Sequence, residues 1–294
     1  MLLLSSMTFL SGSEGHNRFS QSMRDTQSKI QDWLNDIPTG YAGATVDTNG
    51  ITCTSTGGAS AHPKFSTGGG PNKGECIFLG KAIQFTDDST PAAGGQVSNQ
   101  ESQIYSYSVF GLRNYTDPLT GDVRPVNSLV TARPIAAVGI PGYSGGTGSS
   151  TDPTDLTEQY TIPGGAKVKK IVKPDSGSVA DSHLAGFFLS FNQLSSSSSG
   201  SASLRAIQYP INKNRAPGNI KTGNVYKAIA ECISLTTSPP DGVDCTVTPP
   251  ASDPPPLTEW EICFYNDTNS DMALLTISSV GGMSASTKLE FKQC

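Results

Sequence analysis

The chain is poor in charged residues, which narrows the folds and partners open to it. Charged residues make up 15% of its 294 positions, whereas an average soluble domain has about 25%. A coiled coil or helical bundle would need many more Glu and Lys residues, so the composition excludes both. The net charge of −5 gives no overall positive field, so nucleic acid is not expected as a partner. The 31 glycines and 20 prolines favour a β-rich domain with long loops.

The chain also lacks the C-x-x-C spacing on which structural zinc sites usually depend. Its six cysteines, in a chain rich in Gly, Ser and Thr, instead favour disulfides and an oxidising compartment. Buried free thiols are the alternative. We expect neighbours along the chain to pair, as Cys53–Cys76, Cys232–Cys245 and Cys263–Cys294.

The apolar run at residues 1–10 is too short to cross a membrane. Ten helical residues rise about 15 Å, half of the roughly 30 Å hydrocarbon core of a bilayer. The run has neither a basic n-region nor an A-x-A cleavage site, so it does not match a secretory signal peptide. Its large apolar residues are Leu2, Leu3, Leu4, Met7, Phe9 and Leu10.

This run continues into a stretch with the periodicity of an amphipathic helix. Apolar residues recur there at spacings that place them on one helical face. They are Phe19, Met23, Ile30, Trp33, Leu34 and Ile37. Pro38 and Gly40 are expected to end the helix, so the sequence predicts one continuous helix over residues 2–36. The helix is apolar on all sides at its start and apolar on only one side in its second half. This gradient is typical of a helix whose first part lies in a membrane or filament core and whose second half packs against a domain.

Beyond Tyr41 the sequence predicts strands, separated by clusters of Gly, Ser, Pro and Asp. The predicted strands are 76–86, 103–110, 134–140, 167–173, 185–192, 203–209, 260–266, 271–278 and 286–292. Low-complexity loops are predicted at 54–74, 142–156, 195–202 and 238–257. The expected fold is therefore α+β, with a long N-terminal helix (residues 1–37) packed on an antiparallel β-rich head (residues 38–294).

Three stretches resemble type IV pilin-like proteins. Gly15–Tyr41 (GHNRFSQSMRDTQSKIQDWLNDIPTGY) resembles the helix that leads into the pilin head. Cys76–Phe85 (CIFLGKAIQF) resembles the first head strands of the pseudopilin subgroup whose heads are two packed sheets. Trp260–Cys294 resembles that subgroup's closing strands, which a short Gly-rich turn separates. The three stretches cover roughly a quarter of the chain, and the specificity lies in their order and in the helix gradient.

The resemblance implies a non-enzymatic structural subunit of a type IV pilus-like or pseudopilus filament. Its helix would anchor it in the inner membrane before assembly, and the heads would then form the outer shell of an extracellular filament. Its partners would be copies of itself, other pilin-like subunits and the pilus or secretion assembly machinery. Residues 2–10 would form the assembly helix, and Phe19 to Ile37 would pack on the head. A secreted or surface-tethered β-sandwich adhesin or binding module, with the helix as a tether, is the alternative.

The start of the chain departs from the family pattern. Prepilins carry a short basic leader, a Gly-Phe cleavage site and a Glu at the fifth mature position, and none is present here. Glu14 lies at the wrong end of the apolar run to be that Glu. A truncated sequence, an internal start codon or a degraded start would each explain this departure, and the in-frame DNA upstream of Met1 would distinguish them.

Two features suggest other chemistry but have simpler interpretations. Gly142–Gly146 (GYSGG) matches the G-x-S-x-G nucleophile elbow, with His183 as the downstream His. Loop composition follows it where a hydrolase has a helix, so a glycine-rich turn is expected. His16 and His62 are isolated from other ligand types in the sequence and are expected to be solvated.

Asp267, Asn269 and Asp271 have the D-x-N-x-D spacing that opens a calcium loop. Met272 stands where an EF-hand needs Gly, and the bidentate acid that closes such a loop is absent. No cofactor is therefore expected, with calcium at these three residues as the alternative to a polar hairpin turn.

Four lysines make residues 167–173 a locally basic strand, namely Lys167, Lys169, Lys170 and Lys173. Lysines on both faces of a strand are typical of an exposed sheet edge, where they block edge-to-edge pairing. DNA contact is the alternative.

Overall fold

The structure, a computed structural model, has one long helix and a set of antiparallel strands. It describes residues 2–41, 52–55, 63–66, 76–85, 102–117, 119–126, 129–132, 134–136, 157–172, 184–188, 204–209, 259–266, 270–280 and 284–294. Within the long helix, side chains are described from Glu14 onward.

The helix α1 spans Leu2–Thr39, and a short helix α2 spans Leu129–Ala132. The strands are β1 (Thr52–Ser55), β2 (Pro63–Ser66), β3 (Cys76–Phe85), β4 (Gln103–Leu112), β5 (Asn114–Thr116), β6 (Val123–Pro125), β7 (Ile135–Ala136), β8 (Thr157–Thr161), β9 (Ala166–Val172), β10 (Leu184–Phe188), β11 (Arg205–Tyr209), β12 (Glu259–Asn266), β13 (Met272–Val280) and β14 (Ser284–Glu290).

The described strands form two main sheets, in which every pairing is antiparallel. The six-stranded sheet has the order β11-β10-β3-β4-β7, and β8 also pairs with β4. The four-stranded sheet has the order β14-β13-β12-β9. Strands β1 and β2 form one separate hairpin, and β5 and β6 form another. The chain passes from the first main sheet to the second through the 3-10 turn Pro163–Gly165, which joins β8 to β9.

This crossover lies against the helix. Ser22 donates a hydrogen bond from its hydroxyl to the Pro163 carbonyl. Gly164 has φ +68, and a Cβ at that position would lie 3.4 Å from Ser22 Cβ. Glycine suits this position because it adopts the left-handed conformation without strain, whereas the space beside the helix would admit a Cβ.

Helix α1 is continuous through Gly12 and Gly15, as predicted, and ends three residues later than expected. Pro38 lies inside its last turn, where a proline removes only one backbone hydrogen bond. Gly40 follows with φ +72. Its amide donates to the Ile37 carbonyl at 3.2 Å, and the Tyr41 amide donates to the Asp36 carbonyl at 3.0 Å. This pair of bonds is the Schellman arrangement, which satisfies the last carbonyls of a helix.

The apolar core joins α1 to both main sheets, so the expected α+β fold is confirmed. The helix contributes its predicted apolar residues, and the six-stranded sheet contributes Ile83, Phe85 and Ile104. The four-stranded sheet contributes Val168, Ile171, Trp260, Ile262, Phe264, Ala273, Leu275, Ile277 and Ala285. The helix is therefore part of the head's core over its second half.

A disulfide ties the end of the chain to this core. Cys263 on β12 is fully buried and is bonded to Cys294, with their Cα atoms 5.9 Å apart. The predicted Cys263–Cys294 pair is confirmed. The pairs Cys53–Cys76 and Cys232–Cys245 lie outside the described side chains.

Several strands differ from the sequence predictions. Strand β2 and the end of β1 lie within 54–74, which was predicted as a loop, so that prediction was wrong over residues 54–55 and over Pro63–Ser66. It pairs with β1, and a short polar hairpin of this kind has no apolar run to reveal it. Strand β8 was also missed, because Thr157–Thr161 (TEQYT) is polar and carries Glu158. Of the predicted strand 134–140, the described part forms only Ile135–Ala136.

Candidate functional site

The contact between α1 and the sheets is the best-defined candidate site in the described structure. The six predicted packing residues of the helix are each at most 1% exposed: Phe19, Met23, Ile30, Trp33, Leu34 and Ile37. Fully burying one such side chain contributes about 1.5–3 kcal/mol. The opposite helix face carries exposed polar residues, including Gln21, Arg24, Ser28 and Asp32. The helical periodicity read from the sequence therefore marks the buried face.

The predicted assembly residues lie at the other end of the same helix. Leu2, Leu3, Leu4, Met7, Phe9 and Leu10 have helical backbone, and their side chains fall outside those described. The whole helix is 38 residues long, so it spans about 57 Å. Among the described side chains, Phe19 is the first that is buried. The helix axis therefore extends about 25 Å on the N-terminal side of Phe19.

A cluster of charges lies at the C-terminal end of the contact. Lys81, on β3, is buried, with a side chain only 1% exposed. Its ammonium lies 2.6 Å from Asp36 Oδ2 on α1 and 2.9 Å from Glu158 Oε1 on β8. One buried cation thus links the helix to two strands of the six-stranded sheet.

Glu158 is the centre of this cluster. Its Oε2 accepts a hydrogen bond from the Trp33 indole at 2.9 Å and lies 3.2 Å from Lys29 Nζ. Burial alone would raise the pKa of Glu158, but hydrogen bonds from Lys81, Trp33 and Lys29 and the charge of Lys81 lower it to about 2. Glu158 is therefore ionised at neutral pH and holds three donors, two of them on the helix.

The geometry of this cluster fixes α1 against the six-stranded sheet. Both carboxylates face Lys81, and the second oxygen of Glu158 faces two helix donors, so the charged groups are directed at one another. No pattern in the sequence singled out Asp36, Lys81 or Glu158 as site residues. The available signal was Lys81 itself, because a lysine inside the apolar run CIFLGKAIQF needs a partner if the strand is buried.

The histidine on the helix is paired as well as exposed. His16 Nδ1 lies 3.3 Å from Asp271 Oδ1, and the His16 side chain is 58% exposed. The His16 ring also lies 6.5 Å from that of Phe291. The prediction that His16 is solvated holds in part, because one side of its ring lies beside Asp271 and Phe291, which flank strands of the four-stranded sheet.

The calcium alternative gains no support from the described residues. Asp271 has one oxygen beside His16, while Asp267 and Asn269 lie outside the described residues. Across the described part of the chain, no three His, Cys, Asp or Glu side chains are grouped so that they could hold a metal ion. The motif at Gly142–Gly146, together with His62 and His183, also lies outside the described residues.

The basic strand β9 is an edge of the four-stranded sheet, as predicted. Val168 pairs with Phe264 and Lys170 with Cys263, which leaves Lys169 as the extra residue of a β-bulge. Lys169 is exposed, and the Lys167 ammonium lies 6.0 Å from the centre of the Tyr265 ring. Lys173 lies outside the described residues.

No helix within the described residues is both long enough and apolar enough to cross a membrane. The chain matches no protein-family model, no curated protein and no solved structure.

Proposed function

We propose that the chain is a structural subunit of a type IV pilus-like or pseudopilus filament, with α1 as the element that joins head to filament. The observation that carries the proposal is the division of α1 into two parts. Its second half supplies six side chains to the core of the head, and its axis continues about 25 Å beyond Phe19. The first half of that extension is the apolar run at residues 2–10.

The integration of the helix into the core favours a filament subunit over a tethered adhesin. A helix that served only as a tether would not need to contribute to the folding of the head. Here Trp33 and Ile37 belong to one apolar core with residues of both main sheets, and Asp36 pairs with the buried Lys81. Force or displacement applied at the apolar end would therefore reach the head through a packed element.

A charge at Leu10 tests the proposal. Leu10 lies about 13 Å before Phe19 along the helix, so Leu10→Asp should leave the head folded. A lone carboxylate within an apolar filament core would be costly to desolvate. In cells that produce the protein and its assembly machinery, we expect sheared filaments to contain the unaltered protein and to lack the Leu10→Asp variant.

Ser28→Asp is the matched control, because Ser28 is exposed on the solvent face of the same helix. It should be incorporated like the unaltered protein. Incorporation of the Leu10→Asp variant would contradict the proposal. Surface display of the unaltered protein without any filament would instead favour the tethered adhesin.

A further inference from the structure

A buried amine and a carboxyl group lie at reacting distance where α1 meets the six-stranded sheet. Lys81 Nζ is 2.6 Å from Asp36 Oδ2. Because a carbon–oxygen bond of this kind is about 1.2 Å long, Nζ lies within about 3.8 Å of the Asp36 carboxyl carbon, Cγ. Groups held roughly 3–3.5 Å apart in a fixed geometry react far faster than the same groups in solution. The two residues are 45 positions apart, so the packing of the helix on β3 brings them together.

The surroundings of this pair favour a reaction that removes its charges. The Lys81 side chain is only 1% exposed, and Trp33 and Ile37, on either side of Asp36 along the helix, are buried. Charges held out of water are unfavourable, whereas an amide is neutral. Converting the ion pair into an amide would therefore relieve the cost of burying it. The buried position of Lys81 also limits the access of the water that would reverse the reaction.

Glu158 is placed to carry a proton for this reaction. Its Oε1 lies 2.9 Å from Lys81 Nζ, and Trp33 and Lys29 hold its other oxygen at 2.9 and 3.2 Å. Lys29 also remains as a counter-charge for Glu158 once Lys81 is neutral. Asp36 is the better reacting carboxyl of the two, because it is closer to Nζ and less exposed, at 25% against 35%.

We propose that Lys81 and Asp36 become joined by an amide bond between Nζ and Cγ, with Glu158 as the proton carrier. Lys81 first passes one proton to Asp36, which gives a neutral amine and a carboxylic acid. The amine nitrogen bonds to Cγ and becomes positively charged, so that ionised Glu158 can accept a second proton from it. Glu158 returns this proton to a hydroxyl on Cγ, the bond between that oxygen and Cγ breaks, and one water leaves. The third proton stays on the amide nitrogen, and Glu158 ends unchanged.

The amide joins two elements of the fold covalently. Asp36 lies near the end of α1, and β3 is an inner strand of the six-stranded sheet. The helix could then not leave the sheet without breaking a covalent bond. The ion pair is the reactant, so the effects of charge at this cluster on stability are properties of the unreacted chain. Folding alone brings the three groups together, so the reaction is independent of filament assembly.

The mass of the full chain tests the proposal, because the loss of one water lowers it by about 18 Da. After folding and subsequent reduction of its disulfides, the protein should be lighter than its sequence by this amount. Asp36→Ala and Lys81→Arg should each keep the mass of their sequences, since arginine retains the charge but cannot be deprotonated. Asp32→Ala is the matched control, because Asp32 is exposed one turn earlier on the same helix, and it should still lose water. A full sequence mass for the unaltered protein would overturn the proposal, whether or not the variants fold.

A tryptic digest identifies the joined residues. Trypsin does not cleave after a lysine whose Nζ is part of an amide, so Lys81 should remain uncut. The expected product contains residues 30–64, which include Asp36, joined to residues 74–113. The digest must be reduced before analysis, because the predicted Cys53–Cys76 disulfide would join the same two peptides.

The same digest distinguishes the other outcomes. Lys81 joined to residues 114–167, which include Glu158, would overturn the assignment of Asp36 as the reacting carboxyl. A loss of water without a link between two peptides would assign that loss to ring closure within one segment and would overturn the proposal. Glu158→Gln should leave the two peptides separate, because its amide cannot carry the proton. The same link in that variant would overturn the role of Glu158.

Discussion

Two parts of the contact between α1 and the sheets hold the helix by different forces. The apolar part runs from Phe19 to Ile37 and joins α1 to the interior of both main sheets. The charged part overlaps its last turns and centres on Lys81, with Asp36 and Glu158 as its partners. Apolar burial is favourable in roughly any orientation that excludes water. A buried ion pair is favourable only when its geometry is met.

The two parts of the contact therefore determine different properties, namely how strongly the helix binds the sheets and where along them it lies. Taking charges out of water costs several kcal/mol per ion, so the cluster at Lys81 is weak evidence for net stability. The same cost makes any misplacement of the helix unfavourable, because it would leave Lys81 buried without its carboxylates. We therefore expect the apolar part to supply most of the docking free energy and the charged part to fix the position of the helix along the sheet.

The largest effect is expected in the apolar part. Leu34 is 1% exposed, and Leu34→Ala removes its side chain from the core and leaves a cavity. We expect the free energy of unfolding to fall by about 2–5 kcal/mol, measured by chemical denaturation. Ser28→Ala, on the exposed face, should change it by less than about 0.5 kcal/mol. Equal effects of the two substitutions would mean that the helix does not contribute to the core.

A substitution at Lys81 tests whether the charged part depends on charge or on packing. Lys81→Met keeps most of the side-chain volume but leaves Asp36 and Glu158 without their shared cation. We expect a loss of about 1–3 kcal/mol, less than for a fully buried pair because both carboxylates are partly exposed.

The control for Lys81→Met is Ile83→Met on the same strand. Ile83 is fully buried in the apolar core, and a change that conserves volume there should cost less than about 1.5 kcal/mol. As the pH falls to about 2, the difference between the two variants should shrink, because Glu158 then begins to take up a proton. A difference that stays the same at pH 2 would assign the effect at Lys81 to packing.

The pH dependence of stability measures the contribution of Glu158 separately, and the expected effect is smaller than that of Lys81→Met. The pKa of Glu158 falls from 4.5 to about 2 in the folded protein. As the pH falls, Glu158 therefore binds a proton at a higher pH in the unfolded state than in the folded state. The stabilisation is present above about pH 4.5 and is lost as the pH falls to about 2. We expect about 1–2 kcal/mol, reduced from the full linkage value because the side chain is 35% exposed.

Glu158→Gln should flatten this part of the pH profile, which denaturant titrations between pH 2 and pH 6 would measure. Stability at neutral pH should also fall, because the amide has one acceptor oxygen where Glu158 uses two, and its NH2 group would face either Lys81 or the donors of Trp33 and Lys29. A profile with the same slope in both proteins would show that other carboxyl groups cause the acid sensitivity.

The two parts of the contact also differ in how far the sequence predicts them. The apolar part follows from local spacing, because residues three and four apart share one helical face. The charged part joins residues 36, 81 and 158, and no local pattern relates positions so far apart. Strand β8 was missed for the same reason that Glu158 was, since a polar segment becomes a strand only by pairing with β4. Gln27 and Gln31 are likewise hydrogen-bonded to Thr287 on β14, near the end of the chain, which no local pattern relates to them.

The smallest expected effect is an increase in stability rather than a loss. Ser106, on β4, is 1% exposed, pairs with Glu158 across the sheet and has no hydrogen-bond partner for its hydroxyl among the described residues. Because a buried hydroxyl without a partner is unfavourable, Ser106→Ala should stabilise the protein by up to about 1 kcal/mol, measured by thermal and chemical denaturation.

Ser108 is the matched control, since it is equally buried on the same strand, lies opposite Lys81 and does have an interaction partner. Ser108→Ala should therefore destabilise the protein, by about 1 kcal/mol. Losses of the same size at both serines would contradict the assignment and would indicate that the Ser106 hydroxyl has a hydrogen-bond partner in the folded protein.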